Sequence, residues 1–107
     1  MQLRIYQTSL EMIRDLSPII QQIAKHDIDL ARQLRRSSTS IPLNINEGCY
    51  ARGRNGVARL QTAAAEASES TAAIEVAQAA GYIRRETAEG VLDHLDHIRA
   101  VLWKLTH

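Results

Sequence analysis

A proline inside a helical apolar seam is the feature of this sequence that most constrains its fold. The seam repeats at spacings of 3, 4, 3 and 4, through Ala31, Leu34, Ser38, Ile41 and Ile45. This periodicity is typical of a helix that packs in a bundle. Pro42 removes one backbone hydrogen bond from such a helix, at a cost of ~3 kcal/mol, so we predict a kink there. Ser37 and Ser38 are expected to offer hydroxyl groups to the freed backbone.

Four segments of the sequence are periodic, and together they predict an all-α protein. We predict helices over residues 2–25, 28–50, 55–80 and 85–105, with Asp27 and Asn55 as caps of the second and third helices. Ser17-Pro18 either begins a second helical segment or kinks a continuous first helix, and the continuing seam favours the kink. Gly81 is expected to end the third helix. No strand alternation occurs, so we predict an up-down-up-down four-helix bundle of long antiparallel helices, one domain over residues 1–107.

The apolar positions of these helices predict the core. In the first helix they are Leu3, Tyr6, Leu10, Ile13, Ile20 and Ile23. In the third they are Val57, Leu60, Ala64, Ala67, Thr71 and Ile74, and in the fourth Ala88, Val91, Leu95, Ile98, Leu102 and Leu105. Alanine dominates the third helix, which lets a neighbouring helix or subunit approach closely. Because alanine buries little area and the chain has no Phe, oligomerisation is expected to help its stability.

The charges are distributed unevenly along the chain. Residues 1–60 carry nine Lys or Arg against five Asp or Glu, whereas residues 61–107 carry four against seven. Such an asymmetry steers nucleic acid to one face, or it lets protomers dock positive face to negative face. A single cysteine, Cys49, cannot form an intrachain disulfide, and polar or charged residues interrupt every apolar run. We therefore expect a cytoplasmic protein without a membrane span.

Arginines concentrate on the second helix and beyond its end. They are Arg32, Arg35, Arg36, Arg52, Arg54 and Arg59. Between Leu30 and Leu60 a single acid, Glu47, opposes them. Guanidinium groups suit phosphate because their planar fork donates two parallel hydrogen bonds. The alternative interpretation is a solvated face, or ion pairs across a subunit interface with Glu66, Glu69 or Glu75.

Other candidate chemistry is sparse. Asn44 and Glu47 are expected to form a buried polar cluster that satisfies the kinked backbone, since acid-base catalysis would need a second carboxylate, a nucleophile or a metal set. His94 and His97 have a spacing that can chelate zinc, but a third ligand such as Cys49 or His26 would have to come from another helix. A solvated face is the favoured interpretation of these histidines. We predict no enzyme activity, no metal and no cofactor.

The segment around Pro42 resembles a known protein family. The matching residues are Gln33-Leu34-Arg35-Arg36, Ser40-Ile41-Pro42, Asn44-Ile45, Glu47-Gly48, Arg52, Arg59, Glu69, Glu75 and Gly81-Tyr82. Through them the chain is similar to the small four-helix-bundle proteins encoded in intervening sequences of bacterial 23S rRNA genes, the S23-type proteins. This family includes the accessory variability determinant of diversity-generating retroelements. The structural motif that carries the resemblance is Ser40, Pro42, Asn44, Glu47 and Gly48.

The resemblance implies a homopentameric barrel of four-helix protomers. For the retroelement members it also implies a basic surface that binds nucleic acid and a reverse transcriptase, a role that the matching Arg35, Arg36, Arg52 and Arg59 would inherit. We therefore expect a non-enzymatic homo-oligomer that binds structured RNA or DNA through its arginine-bearing surface. The alternative is an assembly scaffold without nucleic-acid binding, whose arginines pair across subunit interfaces.

Overall fold

The regular structure of this chain is helical throughout the part described by the computed structural model, residues 3–51 and 53–107. The helices are α1 (Leu3–Ala24), α2 (Ile28–Tyr50), α3 (Gly53–Ala79) and α4 (Arg85–Thr106). Each helix packs against its neighbour in sequence, and α1 also packs against α4. Short turns join helices that together form a rod of 42 × 22 × 20 Å, so successive helices run antiparallel. The predicted all-α four-helix bundle is confirmed.

The helix that carries the proline, α2, is continuous through Pro42. Asp27 caps it as predicted, because its backbone is extended and its Oδ1 accepts the N–H of Leu30 at 3.0 Å. The predicted seam is buried along its whole length, at Ala31, Leu34, Ser38, Ile41 and Ile45. Pro42 is buried beside it. The proline ring therefore contributes to the core at a position where the helix lacks one backbone donor.

The buried row of α1 differs from the predicted one. It comprises Ile5, Ser9, Met12, Leu16, Ile19, Ile20 and Ile23. The expected positions Tyr6 and Ile13 pack on the flank of this row, and Leu10 is also half-buried. The buried row includes a polar residue, Ser9, so the pattern of apolar residues did not reveal it. Ser9 is fully buried, and its hydroxyl donates to the carbonyl of Tyr6 at 2.6 Å. Gln2 and the side chain of Leu3 lie outside the described part of the chain.

α1 runs unbroken through Pro18, so no second helical segment begins at Ser17. Both residues are exposed. The first helix is therefore continuous across Pro18, and the kink at this proline stays a prediction.

α3 begins at Gly53, and the prediction of Asn55 as its cap is wrong. Its buried residues are Gly56, Leu60, Ala63, Ala67, Ser70, Ala73, Ile74 and Ala77. Leu60, Ala67 and Ile74 were predicted, whereas Ala64 and Thr71 are half-buried and Val57 is 38% exposed. The seam was misplaced because alanines occur on every side of this helix, so apolar periodicity alone does not distinguish its inner face.

Gly81 ends the α3 segment as predicted. Its φ of 81° lies in the left-handed region, and the N–H of Tyr82 donates to the carbonyl of Ala77 at 2.9 Å, a pattern that closes a helix C-terminus. Ile83 is buried, and the ring of Tyr82 stacks on His26 with centroids 5.1 Å apart. α4 then starts without a side-chain cap and buries its predicted seam from Ala88 to Leu102, with Leu105 half-buried.

α2 and α3 approach each other most closely near their shared connection. A Cβ added at Gly48 would lie 2.7 Å from Leu60 Cγ, and one added at Gly56 would lie 2.8 Å from the carbonyl oxygen of Ala51. Both glycines are buried inside helices. Gly48 leaves room for the side chain of Leu60, and Gly56 lets the backbone at the end of α2 come close to α3.

Candidate nucleic-acid interface

The candidate arginines fall into two groups according to their carboxylate partners. Arg32, Arg35 and Arg36 occupy exposed positions of α2, and Arg54 and Arg59 occupy exposed positions near the start of α3. Arg36 and Arg59 each form an ion pair within the chain. Arg52 lies outside the described residues.

Arg36 joins α2 to α3. Its Nη2 donates to both carboxylate oxygens of Glu69, at 2.9 and 3.0 Å, and its Nη1 lies 3.6 Å from Glu66. The arginine side chain is 60% exposed, so this network contributes no more than about 1 kcal/mol to stability. The network bridges α2 and α3 on the surface of the bundle. Glu66 and Glu69 are two of the acids that the alternative interpretation pairs with arginines across a subunit interface. In the structure both have a partner inside the protomer.

Arg59 pairs with Glu47, and this pair corrects one prediction. Nε of Arg59 lies 3.1 Å from Oε2 of Glu47, and both side chains are 56% exposed. Glu47 therefore belongs to no buried cluster with Asn44. The Asn44 amide instead donates to the carbonyl and the hydroxyl of Ser40, at 2.9 and 2.8 Å. The two residues separate because position 47 faces outward on α2, whereas position 44 lies at the edge of the core.

The serine hydroxyls before Pro42 do not bind the carbonyl that the proline leaves without its donor, the carbonyl of Ser38. Ser37 Oγ donates to the carbonyl of Leu34 at 3.3 Å, and Ser38 Oγ donates to that of Arg35 at 3.2 Å. Their predicted role is wrong because a helical serine reaches back one turn on its own helix.

Arg32, Arg35 and Arg54 have no carboxylate partner among residues 3–51 and 53–107. Arg35 borders a shallow groove of about 210 Å³ between α1 and α2. Three residues with hydroxyl groups, Ser17, Ser38 and Thr39, line the same groove. Arg32 lies three residues before Arg35, so the two guanidinium groups share one side of the helix. This arrangement presents uncompensated positive charge next to hydrogen-bond donors, which suits an anionic ligand.

Three buried serines are structural residues that the apolar pattern did not identify: Ser9, Ser37 and Ser70. The fourth buried serine, Ser38, lies in the predicted seam. Ser37 of α2 and Ser70 of α3 are both fully buried, and their hydroxyl oxygens lie 2.7 Å apart. Small side chains that satisfy each other allow two helices to approach closely.

Ser37→Ala is expected to lower the free energy of unfolding by about 1–3 kcal/mol, because the hydroxyl of Ser70 loses its buried partner. The double variant Ser37→Ala/Ser70→Ala should cost less than the sum of the two single changes. Urea unfolding at one fixed protein concentration measures all three. Strictly additive costs would show that the two hydroxyl groups do not interact.

The histidines of α4 do not meet a third metal ligand. Nδ1 of His94 lies 3.4 Å from a carboxylate oxygen of Asp15 and so connects α4 to α1, whereas His97 is exposed. Across the described ranges, no group of three or more His, Cys, Asp or Glu side chains is arranged to hold a metal ion. Cys49 is a half-buried free thiol.

Residues 3–51 and 53–107 include no helix that is both long enough and apolar enough to span a bilayer.

The fold and the exposed arginines define a class of protein: a small bundle of four long helices with a basic outer surface on its central hairpin. The family model described as "23S rRNA-intervening sequence protein" matches residues 1–104, and the chain belongs to this family.

A solved structure agrees with this assignment. The crystal structure of a protein of unknown function from the S23 ribosomal protein family of Bacteroides thetaiotaomicron VPI-5482 superposes with a TM-score of 0.87. The two chains share 26% sequence identity, over 95% of this chain and 97% of the other. A comparison with curated proteins gave no match.

Proposed function

We propose that this chain is a non-enzymatic, cytoplasmic, homo-oligomeric protein that binds structured RNA through the arginines that lack a carboxylate partner. Among the residues that the structure describes, these are Arg32, Arg35 and Arg54. Arg52 is added to the proposed surface from its place in the sequence alone. Arg36 and Arg59 are not assigned this role, because each already pairs with a carboxylate across the α2–α3 hairpin.

The observation that carries the proposal is the difference between the two groups of arginines. A guanidinium that already faces a carboxylate, such as Arg36 on Glu69, must break that contact to bind phosphate. Arg32 and Arg35 have no such contact with a described residue, so their charge is available to a polyanion. Phosphate contacts of this kind supply affinity that is independent of sequence and that falls steeply with salt.

The spacing of the arginines favours a long ligand over a small anion. The distance along α2 from Arg35 to its end at Tyr50 is about 22 Å, and Arg54 lies beyond that end. A single phosphate contacts one of these sites at a time. A folded RNA presents phosphates along its whole length and reaches both.

The proposed oligomer uses the outer face of α3. Ala58, Ala65, Ala72 and Ala79 recur at seven-residue intervals, and all four are exposed. Val76, on the same helix, is 54% exposed. A row of small residues with this period permits close packing of a helix from another subunit. Five subunits is the number that the family resemblance implies.

The basic surface also suits a protein that itself handles nucleic acid, such as a reverse transcriptase. In this proposal the enzyme and the protein meet on a shared RNA, so their association should depend on that RNA. Nuclease treatment of a reconstituted mixture tests that dependence.

The double variant Arg32→Ala/Arg35→Ala is expected to weaken binding of a labelled RNA hairpin and to reduce the slope of log affinity against log salt by about 1–2. Fluorescence anisotropy over a series of salt concentrations measures both quantities. Because both side chains are exposed, the variant should keep the helical content and the unfolding midpoint of the unmodified protein.

The matched control is Arg36→Ala/Arg59→Ala, which removes the same charge from side chains that are already paired. In this control the slope of log affinity against log salt should change less than in Arg32→Ala/Arg35→Ala, and the unfolding midpoint should fall slightly. The proposal is wrong if the unmodified protein ignores RNA at low salt, and the assembly scaffold then becomes the better account. If the two double variants lose RNA affinity equally, the paired and the unpaired arginines contribute alike, and the distinction between the two groups is wrong.

A further inference from the structure

A groove between α3 and α4 lies outside the arginine surface. Its volume is about 460 Å³. The lining residues from α3 are Gln61, Ala64 and Ser68, and those from α4 are Asp96, Arg99, Ala100, Trp103, Thr106 and His107. Small α3 side chains leave the groove open beside the one tryptophan of the chain.

Trp103 is held in place although 62% of it is exposed. The imidazole of His107 stacks on the indole with ring centroids 3.4 Å apart and an angle of 19° between the planes. Nδ1 of His107 lies 3.0 Å from the carbonyl oxygen of Trp103 and 3.0 Å from the hydroxyl of Thr106. The indole is therefore a pre-positioned flat surface, and a further aromatic ring would lose little entropy by stacking there.

The surroundings of Trp103 do not resemble the centre of a protein interface. The other large apolar side chains that are exposed in the described part of the chain are Ile28, Leu43, Tyr50, Val57 and Val76. None of them lines this groove, whose apolar lining beside the indole consists of the methyl groups of Ala64 and Ala100. An interface core needs a contiguous apolar patch, which is missing here.

The polar groups in the groove match a nucleotide. Nη1 of Arg99 lies 3.6 Å from a carboxylate oxygen of Asp96, which is too far for a hydrogen bond, so the guanidinium keeps its donors while 43% of its side chain is exposed. A guanidinium next to a flat aromatic surface can bind the phosphate of a base that stacks on that surface. Gln61 and Ser68 supply donors and acceptors for the edge of the base.

We propose that this groove binds one unstacked nucleobase of a nucleic acid, with Trp103 as the stacking surface and Arg99 at the adjoining phosphate. The proposal rests on the proposed function in one respect, since the base would belong to an RNA held by the arginine surface. It extends that function from phosphate contacts to a contact with a base.

Binding of guanosine monophosphate tests the groove separately from the arginine surface, because a single nucleotide does not need that surface to bind. Because Trp103 is the only tryptophan, its fluorescence reports stacking once the absorption of guanine is corrected for with free tryptophan at the same nucleotide concentrations. We expect saturable quenching at millimolar nucleotide and none with ribose 5-phosphate, which lacks the base. Absence of quenching by the nucleotide, or equal quenching by the base-free control, overturns the proposal.

Two variants separate stacking from folding. Trp103→Leu should weaken binding of a short single-stranded RNA by about 5- to 100-fold, and Trp103→Phe should weaken it less. Ser68→Leu narrows the groove from an exposed position and keeps the tryptophan, so it should abolish quenching by the mononucleotide in a protein of unchanged helical content.

The arginine variant Arg32→Ala/Arg35→Ala distinguishes failure of this proposal from failure of the proposed function. It should leave the quenching by guanosine monophosphate unchanged while it weakens RNA binding. Quenching that persists in a protein that ignores RNA would support a nucleotide site and contradict the RNA function. An altered oligomeric state of Trp103→Leu, without any nucleotide effect, would make the groove a subunit contact and overturn the base-binding proposal.

Discussion

Gly56→Ala is expected to lower the free energy of unfolding by about 1–3 kcal/mol, because the added methyl group meets backbone atoms that cannot move aside. The new Cβ would lie 2.8 Å from the carbonyl oxygen of Ala51 and 3.0 Å from that of Gly48. Both carbonyls belong to the end of α2 and its connection to α3. Relief of the clash requires the two helices to separate where they are closest, which also loosens the packing around Leu60.

Two further glycines provide matched controls for this change. At Gly48 the added Cβ would lie 2.7 Å from Cγ and Cδ2 of the buried Leu60 and 3.1 Å from the backbone oxygen of Gly56. A smaller loss is expected than at Gly56, because the shortest contacts are with a side chain and not with backbone. At Gly90 no atom lies within 4 Å of the added Cβ, and alanine should raise stability by up to about 1 kcal/mol through its helix propensity.

Urea unfolding monitored by circular dichroism measures the series at one protein concentration, since an oligomer has a concentration-dependent stability. The expected order of midpoints is Gly90→Ala above the unmodified protein, then Gly48→Ala, then Gly56→Ala. A Gly56→Ala protein as stable as the unmodified one would show that the connection has enough freedom to accept a side chain.

The helices that sequence patterns predicted correctly are those in which apolar and polar residues separate cleanly. In α2 and α4 the inner positions are large and apolar, such as Leu34, Ile41 and Leu95, and the outer positions are mainly polar or charged. In α3 the same residue type occupies both sides, since Ala63 and Ala67 are buried while Ala65 and Ala72 are exposed. Neither the spacing of apolar residues nor the composition of α3 then indicates which face of the helix packs against the core.

The contacts of the candidate site depend on helix register, which local patterns do not contain. Arg36 was identified as a candidate, but its partner Glu69 is 33 residues away along the chain, and the pairing requires α2 and α3 to align at these positions. The buried contact of Ser37 with Ser70 has the same separation and the same cause. The groove at Trp103 is present because α3 places small side chains, Ala64 and Ser68, opposite α4. The composition of α3 allowed such packing, but the residues themselves did not indicate where the groove lies.

The double variant Ala65→Glu/Ala72→Glu is expected to dissociate the proposed oligomer into protomers. The two alanines occupy successive positions of the seven-residue repeat on α3, two helical turns apart, where a second helix would come within a methyl group of the backbone. Carboxylates buried in such a contact would face one another without a partner, and the cost of desolvating them exceeds what close packing of alanine contributes. In the protomer both positions are exposed, so the isolated fold should change by no more than about 0.5 kcal/mol.

Sedimentation velocity over a range of protein concentrations measures this effect, with Gln7→Glu/Gln21→Glu as the matched control. That variant adds the same charge at exposed positions of α1, and its oligomer should sediment like the unmodified one. A smaller species from the α3 variant alone assigns the subunit contact to the alanine repeat. Dissociation of both variants would point to general charge repulsion. An unchanged sedimentation coefficient for the α3 variant would exclude this face as the contact and direct attention to Leu43 on the outer face of α2, which is 61% exposed.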